Sequence, residues 1–173
     1  MLIIDPSKCS GCRRCETQCS FYHSGKTGHF GARIKVEKIE IKGIDFPVVC
    51  HQCQEHYCTG CPQKAISITD RGSIEVSPTL CNLCGTCETL CPIGAIEIYN
   101  DIPYVCDLCG GTPRCVDACE MDAISYDPEI KQTLSLKSFK KQTKKMTPAM
   151  KRHKYANQAT EKMRTDWLKD RRA

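Results

Sequence analysis

Short alternations of apolar and polar residues recur along the first 130 residues. Residues 63–68 lead from a helical turn into a first strand, residues 69–72 have turn composition, and residues 73–76 alternate again. Period-two alternation predicts strands, because successive side chains of a strand point to opposite faces of a sheet. The pattern therefore predicts a β-hairpin here, and similar short elements are expected at residues 94–99 and 121–126.

A different pattern begins near residue 131. Thr147 and Pro148 form a suitable helix start, with proline at the first helical position. Ala149, Ala156, Met163 and Trp167 then fall roughly on one helical face, which predicts a helix to about residue 170. We therefore predict an α+β fold over residues 1–130 and a basic, mainly helical extension over residues 131–173.

Charge and cysteine content divide the chain at the same point. Residues 1–130 carry 11 Lys and Arg against 17 Asp and Glu, whereas residues 131–173 carry 14 against 3. All 16 cysteines lie in the first region. That many thiols in 173 residues indicate either a disulfide scaffold or a metal protein.

Every cysteine belongs to one of four similarly spaced groups. The groups are Cys9, Cys12, Cys15 and Cys19; Cys50, Cys53, Cys58 and Cys61; Cys81, Cys84, Cys87 and Cys91; and Cys106, Cys109, Cys115 and Cys119. The third group matches the bacterial ferredoxin pattern, in which the fourth cysteine ligates the other cluster of a pair. The groups therefore predict four 4Fe–4S clusters.

Zinc is the main alternative metal. Structural zinc sites usually pair two CxxC units across roughly 12–20 residues or include histidine, and these groups are denser. No secretory signal supports a disulfide scaffold, and no CxxCH supports covalent haem. We therefore expect a cytoplasmic protein, since no apolar run approaches the roughly 18 residues that span a bilayer.

The spacing of the groups suggests which cysteines share a cluster. Groups two and three are separated by a hairpin-sized segment, so they can form one two-cluster unit, and groups one and four then form a second unit around it. The predicted ligand sets are Cys9, Cys12, Cys15 with Cys119; Cys106, Cys109, Cys115 with Cys19; Cys50, Cys53, Cys58 with Cys91; and Cys81, Cys84, Cys87 with Cys61. The exchange of the fourth ligand follows the ferredoxin pattern, whereas the nesting of the two units rests on spacing alone.

Four such groups in this order resemble the four-cluster electron-transfer subunits of the molybdopterin oxidoreductase family and its relatives. Those relatives serve hydrogenases, formate dehydrogenases, carbon monoxide dehydrogenases and tungsten aldehyde oxidoreductases. The resemblance covers residues 1 to about 130 and implies the same nested pairing and a nearly linear row of clusters.

A narrower resemblance is carried by the segments 9–16, 21–25 and 32–36. They look most like the small subunits of tungsten aldehyde:ferredoxin oxidoreductases, and carbon monoxide dehydrogenase ferredoxins are similar here. The chain departs from the family in having two residues rather than three between Cys58 and Cys61, and Ser20 and Glu120 where proline usually follows the fourth cysteine.

The resemblance implies a non-catalytic electron-transfer subunit whose partner is a tungsto- or molybdopterin catalytic subunit, with a flavoprotein or ferredoxin as a further electron partner. The alternatives are a free-standing soluble polyferredoxin shuttle, a subunit of a hydrogenase, formate dehydrogenase or carbon monoxide dehydrogenase, and a redox sensor that binds nucleic acid. The basic extension predicts docking onto a partner or onto another copy of the chain. Nucleic-acid binding by it is less favoured, because basic patches alone are unspecific.

Overall fold

The computed structural model describes residues 1–130, 135–161 and 163. Within them, eight short strands form four antiparallel pairs, and five α-helices flank them. The strands are β1 (Leu2–Ile4), β2 (Lys35–Ile39), β3 (Ile44–Val48), β4 (Ile66–Ile68), β5 (Ile74–Val76), β6 (Glu97–Tyr99), β7 (Ile102–Tyr104) and β8 (Ile124–Tyr126). The helices are α1 (Arg14–Ser24), α2 (Thr86–Leu90), α3 (Arg114–Asp117), α4 (Lys137–Thr143) and α5 (Pro148–Ala159). This mixture of helices and small strand pairs is an α+β fold of ferredoxin type.

The predicted hairpin is confirmed. Strands β4 and β5 pair with Ile66 opposite Val76 and Ile68 opposite Ile74, and Ile66 and Ile74 are buried. The second predicted element, β6, pairs with β7 across Asn100 and Asp101, which both have positive φ. Two central residues with positive φ match the tight turns whose twist suits hairpin strands.

The third predicted element, β8, pairs with the first strand of the chain. Leu2 lies opposite Tyr126 and Ile4 opposite Ile124, and the backbone N–H of Asp127 donates to the carbonyl of Met1 at 2.9 Å. Leu2 and Ile124 are both buried. The pairing therefore joins the two ends of the cysteine-rich region.

Apolar side chains form two cores, and the β2–β3 hairpin contributes to both. One core contains Leu2, Val36, Val49 and Ile124, together with cysteines of groups one and four. The other contains Ile39, Phe46, Ile74 and Ile96, together with cysteines of groups two and three. The molecule thus has one core for each pair of cysteine groups.

The extension begins its long helix where the sequence predicts. Thr147 is the N-cap and its hydroxyl accepts from the N–H of Met150 at 3.4 Å, with Pro148 at the first turn. The expected apolar face is partly wrong, because Ala149 is exposed while Lys151 and Arg152 are buried beside Ala156. Trp167 lies outside the described residues.

The described part of the extension packs on its own chain. The Arg152 guanidinium donates to the carboxylates of Glu37 at 3.2 Å and Glu97 at 3.0 Å. Phe139 and Tyr155 meet edge to face with ring centroids 5.6 Å apart, inside the core of groups two and three. Among the helices assigned in the described ranges, none combines the length and apolar character needed to cross a bilayer.

Candidate metal centres

The four cysteine loops share one backbone feature. The second residue after the first cysteine has a left-handed backbone in every loop: Gly11 (φ 67°), Gln52 (φ 46°), Leu83 (φ 60°) and Leu108 (φ 58°). Three of these residues carry a side chain, for which this conformation costs roughly 1–2 kcal/mol. Left-handed residues turn successive backbone N–H groups toward the inside of a loop, where they form an anion-binding concavity.

In three loops this N–H lies close enough to the first cysteine to lower its pKa and favour the thiolate, against the larger effect of burial. The pairs are Gly11 with Cys9, Gln52 with Cys50 and Leu108 with Cys106. Further backbone donors approach fourth cysteines, since Arg33 donates to Cys19 Sγ at 3.2 Å and Ala95 donates to Cys91 Sγ at 3.3 Å. The loops therefore place N–H dipoles around sulfur, which stabilises sulfur in its anionic form.

Two complete sets of cysteines line cavities. The cavity that we call the open site is lined by Cys9, Cys12, Cys15 and Cys119. The cavity that we call the covered site is lined by Cys50, Cys53, Cys58 and Cys91. Each combines three cysteines of one loop with the fourth cysteine of a distant group, and each holds the members of one predicted ligand set.

For the other two predicted sets, neighbouring thiols and shared cores indicate which cysteines lie together. Cys19, from group one, lies close enough to Cys106, Cys109 and Cys115 to affect their charge state. Cys87 is likewise a neighbour of Cys81. Cys61 packs against the core that contains Cys58, Cys87 and Cys91. The ligand role of each of the sixteen cysteines stays a prediction.

Burial makes these thiols hard to ionise. It raises the pKa of Cys15 and of Cys58 to about 12 and that of Cys87 to about 11, and neighbouring thiolates add to the effect. Anionic sulfur is unfavourable in such surroundings unless positive charge lies beside it. Iron ions supply that charge, so the chemistry of the donor set fits a metal cluster.

Gln52 provides an independent test of whether the covered site fits a 4Fe–4S cluster. Its side chain is 2% exposed, lines the covered site, and has no hydrogen-bond partner for either carboxamide atom among the described residues. Buried polar atoms nearly always have partners. A cavity that contains such a carboxamide fits a group that accepts hydrogen bonds, as the sulfur atoms of a 4Fe–4S cluster do.

The four sets are neighbours in one order. Cys15 lies near Cys115, Cys106 lies near Cys50, and Cys58 lies near Cys87. These three electrostatic neighbour pairs connect the open site to the set around Cys106, that set to the covered site, and the covered site to the set around Cys81. Cys12 and Cys84, in the first and last of these sets, are exposed.

A charged group lies beside the set around Cys106. His23 Nε2 is 3.8 Å from Cys109 Sγ and 3.5 Å from Asp107 Oδ1, and the Arg33 guanidinium is 2.5 Å from Asp107 Oδ2. Burial, followed by the charge of Arg33, lowers the pKa of His23. Sequence reasoning did not select His23, because 86 residues separate it from Cys109.

His51 lies directly after Cys50, within the second cysteine group. The structure buries it and places its Nε2 3.0 Å from the hydroxyl of Tyr155 in α5. Burial lowers the pKa of His51 to about 4, so the ring is neutral near pH 7. His51 therefore connects a cysteine loop to the extension.

Comparison with known proteins identifies the class. The family model described as "4Fe-4S binding domain" matches residues 74–97. The "Aliphatic sulfonate oxidoreductase, polyferredoxin-like subunit" of Pyrococcus furiosus is 38% identical over 122 residues, which are 68% of this chain and 70% of that protein. The "Putative electron transport protein YsaA" of Escherichia coli is 36% identical over 71% of this chain and 86% of that protein.

A third relative extends further along the chain. The "Uncharacterized ferredoxin MJ0155" of Methanocaldococcus jannaschii is 34% identical over 83% of this chain and 89% of that protein. Among solved structures, a chain of the "Active site complex BamBC of Benzoyl Coenzyme A reductase" is 29% identical, with a TM-score of 0.44 over 72% of this chain and 74% of that chain.

The fold, the cysteine loops and the family match define an iron–sulfur protein of the ferredoxin class, which binds 4Fe–4S clusters and functions in electron transport. The chain belongs to the family of polyferredoxin-like electron-transport proteins that includes these relatives.

Proposed function

We propose that this chain is the non-catalytic electron-transfer subunit of an oxidoreductase complex and holds four 4Fe–4S clusters in two nested ferredoxin units. A 4Fe–4S cluster supplies one-electron transfer when bound. The chain's own residues would hold the clusters in this order, with one cysteine exposed in each terminal set.

The neighbour relations among the cysteine sets carry the proposal. Open site, Cys106 set, covered site and Cys81 set are linked in this order by electrostatic neighbours, and exposed cysteines occur in the two end sets. Such a row has two accessible ends and a protected middle. This arrangement suits a protein that connects two redox partners.

The nested arrangement is supported by the strand pairing and the two cores. Pairing of β1 with β8 brings group one to group four, and the core shared by groups two and three lies between them in sequence. Each cavity also contains one cysteine from the other group of its unit. A simple tandem of two units would instead pair group one with group two.

The partner is proposed from the relatives. One relative carries the words "oxidoreductase" and "polyferredoxin-like subunit" in its name, which supports a subunit rather than a free shuttle. We propose a tungsto- or molybdopterin enzyme as the catalytic subunit, with a tungsten aldehyde oxidoreductase as the first choice, and a flavoprotein or ferredoxin as the second electron partner.

Anaerobic purification from the native host tests both levels of the proposal. We expect about sixteen iron atoms per chain, four for each cluster, and tungsten in the complex that co-purifies. Molybdenum would indicate a molybdopterin partner, and nickel would indicate a hydrogenase or carbon monoxide dehydrogenase. Zinc in place of iron would refute the clusters, and a stable monomer without a partner would refute the subunit role.

A further inference from the structure

Two ammonium groups of the extension lie beside the covered site, and one is buried while the other is half-buried. Lys151 is 1% exposed, and its Nζ donates to the carbonyl of Cys91 at 3.0 Å. The same Nζ donates to the carbonyls of Glu88 at 2.7 Å and Thr89 at 3.0 Å. Lys140 adds a second ammonium, which donates to the carbonyls of Thr89 and Leu90.

The hydrogen bonds of Lys151 indicate a charged ammonium group. An ammonium has three donors and no acceptor, and Lys151 finds three carbonyl acceptors. One acceptor belongs to Cys91, a cysteine that lines the covered site. A full positive charge is therefore held within one residue of this cavity, in surroundings that water screens poorly.

Two of the other three sites have carboxylates beside their nearest cations, and at the third, the Cys81 set, Glu88 is a neighbour of Cys87. At the open site, Arg14 forms an ion pair with Glu120, and Asp45 and Glu16 are neighbours of the thiols. At the Cys106 set, Arg33 is paired with Asp107. The covered site has Glu55 near Cys53, and that carboxylate accepts hydrogen bonds from Ser135 and Leu136. Lys151 has no carboxylate within ion-pair distance in the part of the chain that the structure describes, and Glu88 acts on it only from further away.

Gln52 supplies a second, independent contribution at the same cavity. Gln52 lines the covered site, and its carboxamide is buried and lacks a partner among the described residues. A donor beside a cluster stabilises the reduced, more negative cluster by hydrogen bonding to sulfur.

We propose that Lys151 and Gln52 together give the cluster at the covered site the highest reduction potential of the four. Positive charge and hydrogen bonds to sulfur both favour the reduced state, and burial keeps the effect of the charge large. Lys151 acts as a positioning residue through the backbone of Cys91. The inference rests on the proposed function, because it requires a cluster in each of the four sets.

Capping of a helix end is the competing explanation for Lys151. Lysine side chains often bond the last carbonyls of a helix, and Glu88, Thr89 and Leu90 end α2. Capping affects the free energy of unfolding but not specifically one reduction potential. A redox measurement therefore separates the two roles.

The test uses Lys151→Gln, which keeps N–H donors and removes the charge. Its matched control is Lys145→Gln, which makes the same change at an exposed lysine of the same extension. Reduction of the full-length protein is followed by electron paramagnetic resonance in a potentiometric titration. We expect the highest of the four midpoint potentials to fall. The electron affinity of that cluster should drop about tenfold, which equals a fall of about 59 mV for one electron. The other three midpoints and the control should change less than about twofold in electron affinity, because charges further away are screened.

Gln52→Leu tests the inference without touching the extension. We expect a smaller fall in the same midpoint, because one hydrogen bond to sulfur is lost. Wild-type protein with about sixteen iron atoms and unchanged highest midpoints in both variants would overturn the inference and leave the proposed function intact. Wild-type protein that contains fewer than four clusters would overturn the proposed function itself. If Lys151→Gln loses a cluster, Gln52→Leu and Lys151→Arg test the inference instead. Lys151→Arg keeps the positive charge, so a fall of the highest midpoint in this variant would contradict the role of charge.

Discussion

The open and covered sites are built from the same kind of loop and differ in what surrounds them. The wall of the open site includes Arg13, Arg14 and Glu120, and its Cys12 is exposed. The wall of the covered site includes Ile74, Ile93, Ile96 and Leu136, and Leu136 comes from the extension. One loop design thus serves both a site with charged walls and an exposed thiol and a site with mainly apolar walls, and the surrounding residues decide which.

Removal of one thiol from each site tests whether the two sites contribute differently to stability. Cys58→Ala and Cys12→Ala should each lower iron from about sixteen to about twelve atoms per chain, since each site loses one cluster. Cys58 is buried in an apolar core, so loss of its cluster leaves a core cavity and should lower the free energy of unfolding by about 2–5 kcal/mol more than Cys12→Ala. Iron analysis and urea unfolding under anaerobic conditions measure both effects. Equal losses of stability would contradict the distinction between the sites.

The second prediction concerns the part of the extension that packs beside the covered site. Phe139 is 7% exposed and packs edge to face against Tyr155. Phe139→Ala should lower the free energy of unfolding by about 3–5 kcal/mol, because it opens a cavity beside the covered site. Phe30→Ala is the control, since Phe30 is 74% exposed and stacks only on the half-exposed Tyr99, and about 1 kcal/mol or less is expected. A similar effect of both substitutions would show that the extension does not stabilise the covered core.

The smallest effect on stability is expected from the loss of one hydrogen bond between α5 and a cysteine loop. Tyr155→Phe removes the 3.0 Å contact with His51 Nε2 and keeps the ring, so it should cost about 1 kcal/mol. Tyr22→Phe, at a side chain that is 47% exposed, should change stability by less than about 0.5 kcal/mol. Urea midpoints of the three proteins measure the difference. A neutral Tyr155→Phe would indicate that apolar packing alone holds α5 against this loop.

The parts of the fold that sequence predicted are local ones. The β4–β5 hairpin follows from alternation within eleven residues, and the start of α5 follows from Thr147 and Pro148. The pairing of β1 with β8 was not predicted, because nothing in Leu2–Ile4 specifies a partner more than a hundred residues away. Hairpin β2–β3 was also not predicted from its own pattern.

Sequence spacing grouped the cysteines into sets, whereas the residues around them were not predicted. Spacing placed Cys91 in the set that lines the covered site and Cys119 in the set that lines the open site. Periodicity treats lysine and arginine as solvent-exposed, so it did not predict that Lys151 and Arg152 face inward. Their burial depends on carbonyls and carboxylates from two other segments of the chain, residues 91–97 and Glu37.

The β1–β8 pair also sets an order of events during synthesis. Strand β1 emerges first from the ribosome, and its partner ends at Tyr126. At about 5–20 residues per second, the first strand and its cysteine loop wait roughly 6–25 s for their counterpart. The inner unit can close before that time, whereas the open site cannot gain Cys119 until translation of the outer segment is complete. On the proposed ligand sets, the nascent chain would mature from the inside outward, and iron delivery to Cys9, Cys12 and Cys15 would be a late step.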